Sequence, residues 1–213
     1  MKKFYNNYLN NKLNVTNKSL FAITCLIVVI TGMFGFLYEY IFYYFNSGMK
    51  EFYWRGANFL PWINIYATGS LMIWILTNKY KKKPIFIFLI SVISTGILEY
   101  FSGYFMLKTT GLRCWNYNKE ILSFGSINGF VCLRSVLIFG IFSLLLMYIV
   151  LPICYYLEKK KKKKVFFIIS LLLFIIFISD ELYNLIIARI LSLPRASTIY
   201  KSLGIKYMKY RYK

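Results

Sequence analysis

Histidine is absent, and acidic residues are scarce, seven Asp and Glu standing against 27 Lys and Arg. Without histidine there is no H-E-x-x-H zinc pair and no Ser-His-Asp set, and no Gly-x-Ser-x-Gly element occurs. A Walker A loop is also missing, so no nucleotide-binding motif is carried by this sequence. The four cysteines make no framework. Cys25 and Cys154 read as buried or membrane-boundary residues, and the Cys114–Cys132 spacing allows a disulfide without requiring one. These absences point away from an enzyme, and no cofactor is expected. Paired glutamates with Asp180 leave a metal-dependent membrane enzyme as the alternative from that class.

Hydrophobic residues, by contrast, make up 59% of the 213 positions and aromatic residues 21%, more than a soluble core of this size uses. They fall into five runs long enough to cross about 30 Å of hydrocarbon as helices. The expected spans are 20–45, 59–78, 85–107, 128–150 and 165–187. Pro61 sits where a first turn tolerates it, Pro84 precedes the third span, and Pro152 is expected to stop the fourth. The first run continues past a signal-peptide core with no small-residue cleavage motif, so it is expected to remain as a helix. The fold class is therefore all-α, a polytopic transmembrane bundle over 20–187, between a cytoplasmic segment 1–19 and a basic tail 188–213.

The formal charge of +20 is concentrated beside the runs, at Lys79, Lys81 to Lys83 and Lys159 to Lys164. Short basic stretches of this kind fit loops against anionic membrane lipids better than a nucleic-acid groove, and nucleic acid is not an expected partner. With Lys2, Lys3, Lys12 and Lys18 they place the N-terminus on the cytoplasmic side of a cell membrane. The loops 46–58 and 108–127 then face outward. Five spans put the tail outside, despite Arg195, Lys201, Lys206, Lys209, Arg211 and Lys213. A re-entrant fifth helix, a sixth short segment at 185–193 or tolerance of a late basic tail would each reconcile this.

Ionisable residues lie inside the runs: Glu39, Glu99, Arg134 and the Asp180–Glu181 pair. Each would cost at least about 2.5 kcal/mol if exposed at the bilayer centre, so they should face the bundle interior or a polar cavity. In the expected topology they share the outer half of the membrane. Asn64 and Thr68, Asn128, and Asn184 one turn after Asp180 add hydrogen-bonding groups. A dry salt-bridge network that orients helices and a substrate, ion or proton pathway are both compatible with the pattern.

There is also an internal echo. Thr31-Gly32 leads to Leu37-Tyr38-Glu39-Tyr40, and Thr95-Gly96 to Leu98-Glu99-Tyr100; each is followed by a loop with arginine and tryptophan, Trp54-Arg55-Gly56 and Arg113-Cys114-Trp115. The pattern suggests a tandem helix-loop-helix repeat. Arg55, Arg113, Trp115 and Tyr117 are the outer-loop candidates, either as interfacial anchors or as a cover over the charged residues.

The stretch Leu98-Glu99-Tyr100, Gly103, Trp115-Asn116-Tyr117, Asn128-Gly129, Cys132-Leu133 and Gly140 resembles the CmpB-like type IV permease family of ABC transporters, small bacterial membrane proteins. Gly35, Glu39 and Arg55-Gly56 extend the likeness, although the Gly-Pro segment usual after Arg-Gly is replaced by Ala57-Asn58-Phe59-Leu60-Pro61. The resemblance implies a transporter component for a small substrate, with ATP hydrolysis supplied by a separate ATPase or membrane subunit. Five helices are few for a full alternating-access machine, so a homodimer is a second expected partner. A structural or regulatory membrane subunit is the alternative reading.

Overall fold

The computed structural model describes residues 2–111, 113–160 and 162–206. The elements are α1 (Lys2–Leu9), α2 (Asn17–Asn46), α3 (Asn64–Thr77), α4 (Pro84–Thr110), α5 (Leu133–Leu145), α6 (Leu151–Lys160), α7 (Lys163–Leu182), α8 (Ala188–Ile190) and α9 (Ala196–Ser202). Four helical stretches are long and apolar enough to cross a membrane: Asn17–Asn46, Pro84–Thr109, Leu133–Lys160 and Lys163–Ile190. They correspond to the first, third, fourth and fifth expected runs. The second run contains α3, 14 residues long.

The α4 helix shows why the chain needs a membrane. Ile85, Leu89, Ile93, Ile97, Phe101 and Phe105, four residues apart, are each half or more exposed. The opposite stripe, Ile87, Ser91, Thr95 and Glu99, is buried and becomes more polar toward its end. An apolar outside and a polar inside suit a hydrocarbon solvent, where polar groups must be satisfied within the protein. Ser91 and Thr95 do this locally, each donating to the carbonyl four residues back at 2.7 Å. Pro84 opens the helix, and Gly111 ends it at φ +65°, its N–H returning to the Leu107 carbonyl.

Pro152 does not stop the fourth span. The helix widens into a π turn over Leu146–Val150 and continues as α6 to Lys160. A proline there removes a donor and crowds the carbonyl four residues earlier, that of Tyr148. Tyr8 Oη donates to the Met147 carbonyl at 2.7 Å and Tyr5 Oη to the Tyr148 carbonyl at 3.4 Å. The N-terminal helix α1 thus supplies donors where the ladder is disrupted.

The described residues divide into two compact units, one within 2–13 and 69–153, the other within 14–68 and 154–206. In the first, α4 packs along α5. Small residues permit the approach: a Cβ on Gly96 would lie 3.2 Å from Val136, and one on Gly140 2.6 Å from Phe88. The loop before α5 turns at Asn128 (φ +53°) and Gly129 (φ +74°), closed by an antiparallel bridge between Ile127 and Val131. Two successive positive φ values are the signature of a tight hairpin turn. Cys114 is exposed, Cys132 is buried, and no disulfide joins them.

In the second unit α2 packs along α7. Thr16 caps α2 by accepting from Ser19 N at 3.2 Å. Ser19 Oγ in turn donates to Glu158 Oε1 at 2.5 Å, near Lys163. Gly32 makes room for Trp62 and Phe177, and Gly35 for Tyr66, whose ring would lie 2.2 Å from a Cβ there. The stretch 185–193 is no separate span. After a π turn at Tyr183–Ile187 the helix ends at Ile190, the chain reverses, and α9 folds back onto the loop after α2. Ala196 N donates to Asn184 Oδ1 at 2.8 Å, Tyr200 Oη to the Phe59 carbonyl, and Trp54 N to the Lys206 carbonyl at 2.8 Å. Lys161, Lys209, Arg211 and Lys213 lie outside the described residues.

Candidate functional site

Each unit buries helix carboxylates beneath the loop that follows its first long helix. In the second unit, Glu39 Oε2 accepts from both Nε and a terminal nitrogen of Arg55, at 2.8 and 2.7 Å. The guanidinium also lies 3.8 Å above the ring of Tyr43, one turn after Glu39. Charge pairing and stacking together fix an arginine that is only 7% exposed.

Asp180 anchors the same loop further on. Its Oδ1 accepts from Phe59 N at 3.0 Å and Asn184 Nδ2 at 2.8 Å, and its Oδ2 from Leu60 N at 2.9 Å. These bonds hold residues 59–60 in an irregular path, which is why helix α3 begins at Asn64 and not at Phe59. Next to it Glu181 Oε1 accepts from Asn58 Nδ2 at 2.6 Å. Asn64 itself is exposed and accepts from Thr68 Oγ1 at 3.0 Å.

The loop's outer edge is closed by Lys206, which pairs with Glu51. Tyr53 Oη donates to the same carboxylate at 2.6 Å. The lysine's hydrogen bond, then the tyrosine's, holds the Glu51 carboxyl below its usual range, and the tie to Glu51 pushes the Tyr53 phenol up.

In the first unit Glu99 is 3% exposed and receives two hydroxyls, Tyr117 at 2.5 Å from the loop and Ser135 at 2.7 Å from α5. Ser135 Oγ also lies 2.8 Å from the Cys132 carbonyl. With one proton to give, it can serve only one of these two acceptors at a time. It accepts from Cys132 N at 3.2 Å, so one side chain both caps α5 and orients Glu99. Arg134 pairs with Glu120 at 2.7 Å and lies 5.4 Å from the Tyr117 ring centroid. The arginine of the fourth run thus takes its ion pair from the loop, while Glu39 takes Arg55.

The remaining loop candidates build the hairpin. Trp115 Nε1 donates to the Phe130 carbonyl at 2.8 Å, Arg113 to the Asn128 carbonyl at 2.5 Å, and Asn128 Nδ2 to Tyr100 Oη at 3.3 Å. Gly129 is forced to be glycine, since a Cβ there would meet Asn116 Oδ1 at 2.4 Å. Glu120 and Ser135 do not stand out in the sequence as site residues. The signal that marks the first is scarcity: with only seven acids in the chain, one in a loop next to Trp115 and Tyr117 is informative. Among the described residues no group of three or more His, Cys, Asp or Glu is placed to hold a metal ion.

A family model described as "Putative ABC-transporter type IV", of CmpB type, matches residues 6–185. The chain belongs to this family. The type IV permease chain is accordingly a multi-pass membrane component of a transport system, and its membership implies a separate ATPase subunit. No curated protein and no solved structure matches the permease chain.

Proposed function

We propose that this chain is the membrane-embedded half of a transporter for a small substrate, in which Glu39, Asp180 and Asn64 in one unit and Glu99, Arg134 and Asn128 in the other are the candidate residues of a substrate or ion pathway. The observation that carries this reading is the repeated pairing of a helix glutamate with a side chain of the loop that follows, half-buried Glu39 with Arg55 and buried Glu99 with Tyr117. Such buried intramembrane charges commonly mark substrate or ion routes. Loops that reach Glu39 and Glu99 through side-chain bonds can exchange those bonds for a substrate. Arg55, Arg113, Trp115 and Tyr117 then act as the cover.

In this proposal α3 is a fifth, short span, the α2–α3 and α4–α5 segments are tandem repeats, and the N-terminus is cytoplasmic, as the flanking lysines favour. A second copy of the chain completes the walls that five helices leave open, and anionic lipid contacts the basic loops. The test is co-purification of the tagged chain from native membranes, followed by ATP hydrolysis in nanodiscs. A Walker-containing polypeptide should co-purify, and Glu99→Gln should retain it while losing at least about tenfold of any substrate-stimulated hydrolysis, a transition-state cost of about 1.4 kcal/mol. A complex with undiminished stimulation in Glu99→Gln would favour a structural or regulatory role for the cluster.

A further inference from the structure

We infer that Glu181 and Asn58 form a binding site for a monovalent alkali cation at the loop end of α7. Asp180 and Glu181 are adjacent, buried, and inside a stretch able to span the membrane. Among the described residues neither makes an ion pair with lysine or arginine, although the other carboxylates at helix ends and loops do so or receive hydroxyls. Two neighbouring buried carboxylates with no countercharge are a costly arrangement.

Their surroundings divide the work unequally. Both oxygens of Asp180 are occupied by the backbone N–H groups of Phe59 and Leu60 and by Asn184. That residue is a loop anchor with little left to offer a ligand. Glu181 receives only side-chain amides, Asn58 Nδ2 at 2.6 Å and Asn64.

The second observation is independent of the acids. The other end of the same Asn58 amide, Oδ1, is buried without a hydrogen-bond partner, in a residue 2% exposed. Because the nitrogen of that planar amide rests on Glu181, the orphan oxygen is fixed beside the carboxylate. A buried acceptor left unmet is rare in native proteins and signals a missing partner. A hard cation takes carboxylate and amide oxygens as ligands. One available carboxylate suits a single positive charge, whereas calcium and magnesium sites recruit more acids or several waters.

The use of this ion in transport rests on the permease reading above; its binding does not. The test is thermal unfolding of the full chain in nanodiscs at fixed pH and ionic strength, in NaCl, KCl or N-methylglucamine chloride. Sodium or potassium should raise Tm saturably over N-methylglucamine, by roughly 3–6 °C at ten times the dissociation constant. Glu181→Gln should abolish the difference. Asn58→Ala, which removes the orphan oxygen, should raise the half-saturating concentration at least several-fold and keeps the test decisive if Glu181→Gln does not fold. Equal Tm in all three salts, an unchanged increment in Glu181→Gln, or unchanged affinity in Asn58→Ala would overturn the site. Loss of ATPase co-purification with the salt effect intact would instead count against the permease reading.

Discussion

Glu39 receives two nitrogens of Arg55 on a single oxygen, at 2.7 and 2.8 Å, while Tyr43 supports the guanidinium from below. Arg55 is buried and Glu39 nearly so, which places the pair where losing one partner strands a charge. Arg55→Met should destabilise the second unit by about 3 kcal/mol. Arg55→Lys should recover only part of this, because an ammonium lacks the planar fork and the stacking face. Unfolding of the single variants, Glu39→Gln and the double variant gives the coupling; a double variant as unstable as the two singles combined would mean the residues act independently.

Asp180 carries a different load, since two of its three donors are backbone N–H groups of the loop. Asp180→Ala should release residues 57–61 at a cost of about 3–6 kcal/mol, from two charge-assisted bonds of about 1.5–3 kcal/mol each. Hydrogen exchange should show lost protection at Phe59 and Leu60 first. Asp180→Asn should retain part of the protection, because its single carbonyl oxygen can still accept.

A third expectation concerns the N-terminal helix. Tyr8→Phe keeps the ring but removes the donor to the Met147 carbonyl, in the π turn ahead of Pro152. The loss should be about 1–3 kcal/mol, the cost of a buried group left unmet. Pro152→Ala restores a backbone donor for Tyr148, so the π turn should relax toward regular helix and Tyr5 should become less protected. Solvent labelling of a cysteine placed at position 4 would follow the undocking of α1.

How much of this was legible follows from the same residues. Hydrophobic run length located the four long helices, since crossing hydrocarbon demands about twenty apolar residues and little else. The acids were legible as buried for the same reason. Their partners were not, because Arg55, Tyr117 and Glu120 come from irregular loops whose paths no periodicity encodes. Pro152 misled for a specific cause: the rule that proline ends a helix assumes the freed carbonyl has no other donor, and Tyr5 sits 143 positions away in sequence. The start of α3 was missed because Asp180, a residue of another helix, holds Phe59 and Leu60 out of helical conformation.

Lys81 gives the pH prediction. It is 4% exposed, donates to Asn11 Oδ1 at 2.7 Å and lies 4.1 Å from the Tyr8 ring centroid, while its carbonyl accepts from Tyr148 Oη at 2.8 Å. Burial lowers its ammonium from 10.5 to about 8. Between those two values the unfolded chain holds a proton that the folded chain has released, so the stability contributed at this residue rises with pH. Below about pH 8 both states are protonated and the contribution is flat; above 10.5 both are neutral and it is flat again. Lys81→Met removes the titration. The difference in Tm between wild type and Lys81→Met should therefore shift in favour of wild type as pH rises from about 8 toward 10.5. A difference that is constant across this range would mean that Lys81 stays fully charged in its buried position, held by Asn11 and Tyr8 against the cost of desolvation.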